Sequence, residues 1–297
     1  MKILFVGGTG IISSACSPYC IQQGHELFLL NRGKSSRPTP NGAIHLNADI
    51  NDLETVCKLL ESHHFDSVVD WIAYTPAEVE RDFSLFRDKT DQYVFISSAS
   101  AYSKPPPLFL NESHPVYNPY WTYSQNKVHC EDYLNEVFNK KDFPITIVRP
   151  SHTYDKTMIP LQGGYTTFHR ILNGKKVIVH GDGTSWWTLT HHQDFAKGFL
   201  GILGNKSAIG ESFHITGDEL LTWNQIYHVM AAAAGVEANI FHVSSDIIYK
   251  YDKEWGDGLL GDKAYNLVLD NSKIRKFVPD MKTTIPFKEG AKQIVQW

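Results

Sequence analysis

The first half of the chain alternates short apolar runs with longer segments whose apolar residues recur at helical spacing. In order, the runs are KILFVG, HELFLLN, AIHLN, DSVVDWIAY, QYVFISS and PITIVRP. Apolar runs without polar alternation are typical of strands buried on both faces, and helices between such strands make them parallel. The pattern therefore predicts an α/β fold built on a doubly wound parallel sheet.

Beyond Pro150 the pattern becomes less regular and predicts a smaller C-terminal lobe. The signals there are a Gly163-Gly164 turn, a strand KKVIVHG, a GDGT turn, a helix near Asp194 to Leu203, a strand SFHIT and a helix near Trp223 to Ala234. No repeat or low-complexity linker separates the two parts. We therefore expect a discontinuous division, with residues 1–155 and 176–215 in the larger domain and residues 156–175 and 216–297 in the lobe.

The composition narrows the class of partner. The 297 residues are 42% hydrophobic and 20% charged, with a formal net charge of -4 and no long run of Lys or Arg. This balance favours a small-molecule ligand over nucleic acid or a membrane surface. No stretch approaches the roughly 18 apolar residues of a membrane span, and Met1 to Gly10 is too short for a signal-peptide core. We therefore expect a cytoplasmic protein.

A glycine loop follows the first strand directly. Gly7-Gly8-Thr9-Gly10, with Ile11 and Ile12, lies between a buried strand and a helix, the context in which backbone N–H groups and a helix N-terminus hold a pyrophosphate. The alternative is a tight strand-to-helix turn that binds no phosphate. Ser13 takes the place of a third glycine, whose main role is close packing of helix on strand. Because serine is small, it should weaken the phosphate site only slightly.

The end of the second strand bears on the choice of dinucleotide. Asn31 stands where an NAD-preferring site usually has a carboxylate on the ribose hydroxyls, and Arg32 follows it. A neutral residue followed by a cation favours a 2′-phosphate, so we expect NADP ahead of NAD; Arg32 on a solvated loop is the alternative. Asp49, followed by Ile50, is placed to meet the adenine amino group.

Two segments match the pattern Tyr-x-x-x-Lys, and their contexts differ. Tyr123 and Lys127 begin a helical segment after the strand QYVFISS, which carries Ser98 at its end, whereas Tyr249 and Lys253 lie in a charged stretch without such a serine. Oxidation of an alcohol by a nicotinamide releases a hydroxyl proton, and a tyrosine of pKa near 10 is a poor base at neutral pH. A lysine cation and the positive nicotinamide would lower that pKa, and Ser98 would hold the substrate oxygen.

Taken together, the motifs resemble those of the extended short-chain dehydrogenase/reductases, the NAD-dependent epimerase/dehydratase group. The resemblance rests on GGTGII at 7–12, ISSASAY at 96–102, Tyr123 and Lys127, VRPSHTY at 148–154, GDGT at 181–184, a helix near Asp194 and DNSKIRK at 270–276. It implies that the larger domain is an NAD(P)-binding Rossmann domain and that Ser98, Tyr123 and Lys127 form a catalytic triad. Lys127 would also contact the nicotinamide ribose.

The resemblance implies further contacts and a homodimer. The additional cofactor contacts would come from Ala73, Ser97, Pro150 and Ser151, and the additional substrate contacts from Ala99 and His152. A homodimer through the helices that carry Phe83 and Tyr123 is also implied.

Two departures from the family pattern reduce the set of reactions and substrates that we expect. Ala99-Ser100 stands where the 4,6-dehydratases have an Asp-Glu pair, so dehydration of that kind is not expected. Trp187 and Thr188 stand where an arginine and an acidic residue usually hold a nucleotide diphosphate. Trp186 or Trp187 could instead stack on a sugar or aromatic ring; the alternative is that one is core and the other fills the lobe interface.

The spacing of the cysteines and histidines does not match that of a metal-binding site. The four cysteines lack C-x-x-C spacing, which favours free thiols, and Cys16 and Cys20 are expected to be buried. His191 and His192 are adjacent on a predicted extended segment, where neighbouring side chains face opposite ways, and no third ligand is spaced to join them. We therefore expect no metal site.

The sequence leads to one main hypothesis and two alternatives. The main hypothesis is an NAD(P)-dependent epimerase that oxidises a hydroxyl of a sugar or sugar nucleotide and returns the hydride. A simple NADPH-dependent reductase of a small carbonyl substrate is the alternative among enzymes. The non-enzymatic alternative is a nucleotide-binding regulatory or nucleic-acid-associated protein.

Overall fold

The computed structural model describes residues 1–297 and places them in twelve strands and eleven α-helices. The strands are β1 Lys2–Val6, β2 Glu26–Asn31, β3 Ile44–Asn47, β4 Ser67–Asp70, β5 Tyr93–Ile96, β6 Ile145–Arg149, β7 His152–Tyr154, β8 Val177–His180, β9 Trp186–His191, β10 Ser212–His214, β11 Leu220–Thr222 and β12 Ile240–Val243. The helices are α1 Ser13–Gln22, α2 Leu53–Leu60, α3 Pro76–Phe86, α4 Thr122–Lys141, α5 Gly164–Leu172, α6 His192–Leu200, α7 Trp223–Ala233, α8 Ser245–Tyr251, α9 Lys253–Gly258, α10 Ser272–Phe277 and α11 Phe287–Gln296. One π-helical turn spans Leu259–Lys263.

Seven strands form one parallel sheet in the order β10-β6-β5-β4-β1-β2-β3. Every residue of β4, β5 and β6 is buried, which is why these runs lack polar alternation. The chain winds outward from β1 in both directions, first through β2 and β3 and then through β4 to β6. The predicted doubly wound α/β fold is confirmed, and the crevice beside β1 is where such sheets bind ligands.

Two apolar layers sandwich the sheet. One face carries α2, α3 and α4, and the other carries α1, α6 and α10. Cys16 and Cys20 of α1 are buried free thiols, as expected, and burial raises the pKa of both. None of the helices combines the length and the apolar character that a bilayer crossing requires. The helices of the expected dimer contact, α3 and α4, lie side by side, and dimerisation stays a prediction.

The connection from β2 to β3 contains no helix, although helices between parallel strands were expected. Residues 32–43 form turns and irregular chain. Pro38 and Pro40 explain this, because proline lacks the N–H that a helix needs and disfavours helical geometry at the residue before it.

Strands β8 and β9 pair with strands of the smaller lobe and not with the main sheet. β8 pairs with β12, and β9 pairs with β7 and β11, in two small sheets separate from the main one. Their inward side chains join the apolar cluster of α5, α7 and α11. Residues 176–191, expected in the larger domain, therefore have their strand partners and apolar contacts in the lobe, and the exact domain division stays a prediction. The chain returns to the larger domain at α6.

Candidate active site

β1 leads into the glycine loop, and two of its glycines are required by the backbone. Gly7 and Gly8 have φ of +97° and +86°, which side chains disfavour. A Cβ on Gly8 would lie 2.6 Å from Leu29 Cδ2, and one on Gly7 would lie 2.9 Å from Ile72 Cγ2. No side chain caps the first turn of α1, which follows. A closely packed glycine backbone at the N-terminus of α1 suits a pyrophosphate.

Two serines of α1 fix this loop. Ser13 Oγ accepts a hydrogen bond from the Gly10 N–H at 2.8 Å, and Ser17 Oγ donates to the Gly8 carbonyl at 2.8 Å. Ser13 therefore does more than fill the place of a third glycine, because its hydroxyl binds the loop backbone directly.

A pocket of about 370 Å³ opens beside the loop at the end of β2. The predicted adenosine-binding residues all line it: Asn31, Arg32, Asp49 and Ile50. The Asn31 side chain donates to the Gly7 carbonyl at 3.2 Å and accepts from the Gly33 N–H at 3.0 Å, so its orientation is fixed. Arg32 lies 3.8 Å from the Asp49 carboxylate, and both side chains are exposed. The Arg32 cation therefore already has a partial counter-charge.

The main cleft, of about 680 Å³, lies between the sheet and the lobe. It brings together most of the residues predicted from the sequence: Gly7, Gly8, Thr9, Gly10, Ile11, Ile12, Ser97, Ser98, Ala99, Tyr123, Lys127, Pro150, Ser151, His152 and Trp187. The cleft and the smaller pocket share Gly7 and Thr9. A ligand that extends across the glycine loop can therefore occupy both.

The Lys127 side chain is held firmly beside the cleft. Its ammonium donates to the Ala73 carbonyl at 2.8 Å and to the Ile96 carbonyl at 2.7 Å. Asp70 fixes the turn that presents Ala73 by accepting from the N–H groups of Ile72 and Ala73. Burial lowers the pKa of Lys127 to about 8. Ala73 does not line the cleft itself, and its carbonyl serves as a support for Lys127.

Burial raises the pKa of Tyr123 to about 12, with a smaller contribution from the Tyr74 hydroxyl. From the sequence, Lys127 is expected to help lower this pKa. In the structure the Lys127 ammonium lies 6.0 Å from the Tyr123 ring centroid and is bound to two carbonyls. Without a cofactor, burial therefore determines the direction in which the pKa of Tyr123 shifts.

Ser98 lies at the end of a chain of hydroxyl groups. Ser124 Oγ of α4 donates to Ser100 Oγ at 2.7 Å, and Ser100 Oγ lies 2.9 Å from Ser98 Oγ. Since Ser100 Oγ accepts from Ser124, its own proton is available to Ser98, and the Ser98 proton remains for a group in the cleft.

His152 and Trp187 form the lobe side of the cleft. The Trp187 indole N–H donates to His152 Nδ1 at 3.2 Å, so the neutral imidazole carries its proton on Nε2. Burial lowers the pKa of His152 to about 3, with help from the nearby Lys263, which keeps the ring neutral. Trp187 is only 1% exposed and packs on Trp223.

Trp186 lies elsewhere. It is 41% exposed and faces a separate pocket lined by Thr184 and Asn266. Successive side chains of a strand point to opposite faces, so β9 can direct only one of the two tryptophans into the cleft. The structure does not bring Trp186 to the site.

His191 and His192 do not face opposite ways, contrary to expectation. Their ring centroids are 4.8 Å apart, because β9 ends at His191 and α6 begins at His192. His191 contacts Gln293, whereas His192 contacts Ser14 and the Ile11 carbonyl. No group of three or more His, Cys, Asp or Glu side chains is arranged to hold a metal ion.

Several cleft residues were missed by sequence reasoning. Trp121 and Tyr74 line the cleft near Tyr123, and Asp262 and Lys263 line it from the π-helical turn of the lobe. Trp121 stands two positions before Tyr123, and this proximity was a usable signal. Asp262 and Lys263 belong to no recognisable motif, and only the fold brings them to the site.

Comparison with known proteins identifies one family and several relatives of similar sequence. The sequence profile described as "NAD dependent epimerase/dehydratase family" matches residues 3–216. A chloroplast stem-loop binding protein of 41 kDa b from Arabidopsis thaliana is 30% identical over 256 residues, covering 81% of this chain and 65% of that protein, slightly less than two thirds of its length. A dTDP-D-glucose 4,6-dehydratase from Mus musculus is 21% identical over 327 residues, covering 100% and 88%.

A solved structure of similar fold is UDP-glucuronic acid 4-epimerase from Bacillus cereus in complex with UDP-glucuronic acid and NAD. The TM-score is 0.79 at 18% identity, and the match covers 100% of this chain and 98% of that one. At this identity the likeness concerns the fold.

Proposed function

Because the chain belongs to the NAD dependent epimerase/dehydratase family, we propose that it is an NAD(P)-dependent epimerase acting on a sugar or sugar nucleotide. The observation that carries the proposal is that Ser98, Tyr123 and Lys127 line one cleft together with the glycine loop. These are the groups that proton transfer beside a nicotinamide requires.

In the proposed reaction, Tyr123 takes the hydroxyl proton of the substrate and later returns it. Ser98 holds the reacting oxygen with the proton that its hydroxyl chain leaves available. A buried phenol is a weak base while its pKa is near 12, so positive charge close to the phenol must stabilise the phenolate. Lys127 supplies a fixed cation on the neighbouring helical turn.

The cofactor site fits a dinucleotide. The Gly7 and Gly8 backbone and the first turn of α1 would hold the pyrophosphate, and Asn31, Arg32 and Asp49 would meet the adenosine. When bound, the nicotinamide supplies a hydride acceptor that can give the same hydride back. NADP remains the expected form because Asn31 is neutral and Arg32 is exposed, although the Asp49 carboxylate facing Arg32 works against a 2′-phosphate.

The residues after Ser98 support hydride return without elimination of water. Ala99 and Ser100 are buried and carry no carboxylic acid, and the Ser100 hydroxyl is engaged with Ser98 and Ser124. A 4,6-dehydration needs an acid at this point to protonate the leaving hydroxyl. The site therefore favours epimerisation over dehydration.

The test is a calorimetric titration of the purified protein with NADH and NADPH, together with the cofactor content of the protein as isolated. Tight binding, with cofactor that co-purifies and shows no net change of redox state after turnover, is the expected result. A cofactor that exchanges freely and is consumed would favour the carbonyl reductase instead. Binding of neither nucleotide would overturn the enzymatic proposal.

A second candidate function is binding to a nucleic-acid stem-loop. The observation that favours it is the 30% identity to a stem-loop binding protein, and the net charge of -4 opposes it. A mobility-shift titration with a stem-loop RNA and an unstructured RNA of equal length distinguishes the cases. Tighter binding of the stem-loop, unaffected by Tyr123→Phe, would support this function.

A further inference from the structure

Lys263 is a cation that faces the main cleft without an ion-pair or hydrogen-bond partner in the protein. It ends the π-helical turn and lines the cleft together with Tyr123. The neighbouring carboxylate, Asp262, is already paired with Lys104 at 3.2 Å. No other acidic side chain lies within ion-pair distance of the Lys263 ammonium, and no acceptor in the protein takes a hydrogen bond from it.

Aromatic rings surround this ammonium and limit its access to water. The Lys263 Nζ lies 4.9 Å from the Trp121 ring centroid and 5.9 Å from that of Trp187. Burial lowers the pKa of Lys263, and the Lys104 charge adds to this effect while Asp262 opposes it. A partly buried cation without an ion-pair partner is costly, so an anion bound in the cleft would reduce this cost.

The backbone of Lys263 is fixed from behind the cleft. Its carbonyl accepts from His180 Nε2 at 2.8 Å and from the Trp223 indole N–H at 3.2 Å. The fixed backbone positions the base of the Lys263 side chain, so less conformational freedom is lost when its ammonium binds a ligand.

The position of Lys263 relative to Tyr123 limits the size of the ligand. Both groups contact the same aromatic ring, with the Lys263 Nζ 4.9 Å and the Tyr123 ring centroid 4.8 Å from the Trp121 ring centroid. An anion on Lys263 therefore lies close to the hydroxyl that Tyr123 would serve. The cleft continues past Lys263 into a pocket of about 210 Å³ lined by Trp223 and Trp255.

We propose that Lys263 binds an anionic group, a phosphate or a carboxylate, carried by the substrate next to its reacting hydroxyl. This inference rests on the proposed function, because it assigns a substrate class to the same site. The substrate class is an acidic sugar derivative, either a sugar phosphate or a sugar acid. The missing diphosphate-binding arginine at Trp187 agrees with an anion that lies close to the ring.

The test is calorimetry of the full chain, with and without nicotinamide cofactor, using three probes: D-glucose 6-phosphate, D-glucuronate and D-glucose. At least one acidic probe should bind about 10-fold or more tightly than glucose, as expected for charge-assisted hydrogen bonds. Lys263→Met should remove this difference while leaving cofactor affinity unchanged. Lys206→Met, at an exposed lysine outside the cleft, is the matched control. Lys263→Gln serves as a second variant if the first fails to fold.

Each outcome has a separate meaning. Preference for glucose 6-phosphate alone assigns a phosphate, and preference for glucuronate alone assigns a carboxylate. Equal binding of all three probes, or a preference that survives in Lys263→Met, would overturn the inference. Lys263-dependent binding of an acidic probe in a protein that binds neither NADH nor NADPH would leave the anion site in place and overturn the proposed enzymatic function.

Discussion

Replacing Arg149 by Met would leave a buried carboxylate without its counter-charge next to the cleft. Arg149 contacts Glu131 through two parallel hydrogen bonds, of 3.0 Å and 2.6 Å, and the two residues are 5% and 1% exposed. Ser97 donates to the same carboxylate, and the Tyr102 hydroxyl contacts the guanidinium. The network joins the ends of β5 and β6 to α4, and these three elements carry or closely precede Ser98, Tyr123, Lys127 and Pro150.

The expected cost follows from the burial of both charges. Removal of one partner from a buried ion pair costs about 3–5 kcal/mol, because the remaining charge cannot be solvated. In a chain of this size that loss lowers Tm by on the order of 10 °C. The double variant Glu131→Gln with Arg149→Met removes both charges of this pair. Its free energy of unfolding should recover by at least about half of the loss.

Urea denaturation followed by tryptophan fluorescence measures both variants against the wild type. The single variant should also lose cofactor affinity, because Ser97 precedes Ser98 and Arg149 precedes Pro150. A loss below about 1 kcal/mol for Arg149→Met would refute the reasoning about burial. A double variant as unstable as the single one would show that packing, and not the unpaired charge, determines the effect.

Three further changes address the cleft directly. Arg32→Ala should lower NADPH affinity about 10-fold in calorimetry and leave NADH affinity unchanged; equal losses would exclude a 2′-phosphate contact. Tyr123→Phe should slow single-turnover hydride transfer by about 10² to 10⁴ with an unchanged cofactor Kd, and an unchanged rate would contradict its proton-transfer role. Gly8→Ala, at φ +86° with its Cβ 2.6 Å from Leu29 Cδ2, should lower the free energy of unfolding by about 1–3 kcal/mol, measured in urea.

The central sheet was predictable because its signal is local. The strands β4, β5 and β6 are buried throughout, so each appears as an apolar run that can be recognised without knowing its neighbours. In the lobe, the apolar run of β8 was recognised as a strand, but its pairing was not. β8 and β9 find their partners in β12 and β11, which lie 30 or more residues away in the chain, and their pairing depends on packing that short strands do not encode.

The same contrast holds within the site. The glycine loop and the Tyr123–Lys127 pair are each formed within one strand-to-helix connection or one helix, so spacing alone could indicate them. The pKa of Tyr123 was not predictable in this way, because burial, which depends on tertiary packing, determines the direction of its shift. Trp186 and Trp187 were distinguished only by the face of β9 on which each lies.

Of the two cations in the main cleft, the one proposed to bind the substrate belongs to the lobe. Two lysines line the main cleft, and they are held differently. Lys127 donates to two backbone carbonyls, which satisfy its ammonium within the larger domain. Lys263 has no such acceptors, and the adjacent Asp262 is committed to Lys104. The larger domain therefore provides the fixed groups of the proposed chemistry, whereas the lobe provides the cation that remains free to discriminate among substrates. Variation in the lobe can change the substrate without disturbing the proton-transfer groups, because the two functions are carried by separate elements of the fold.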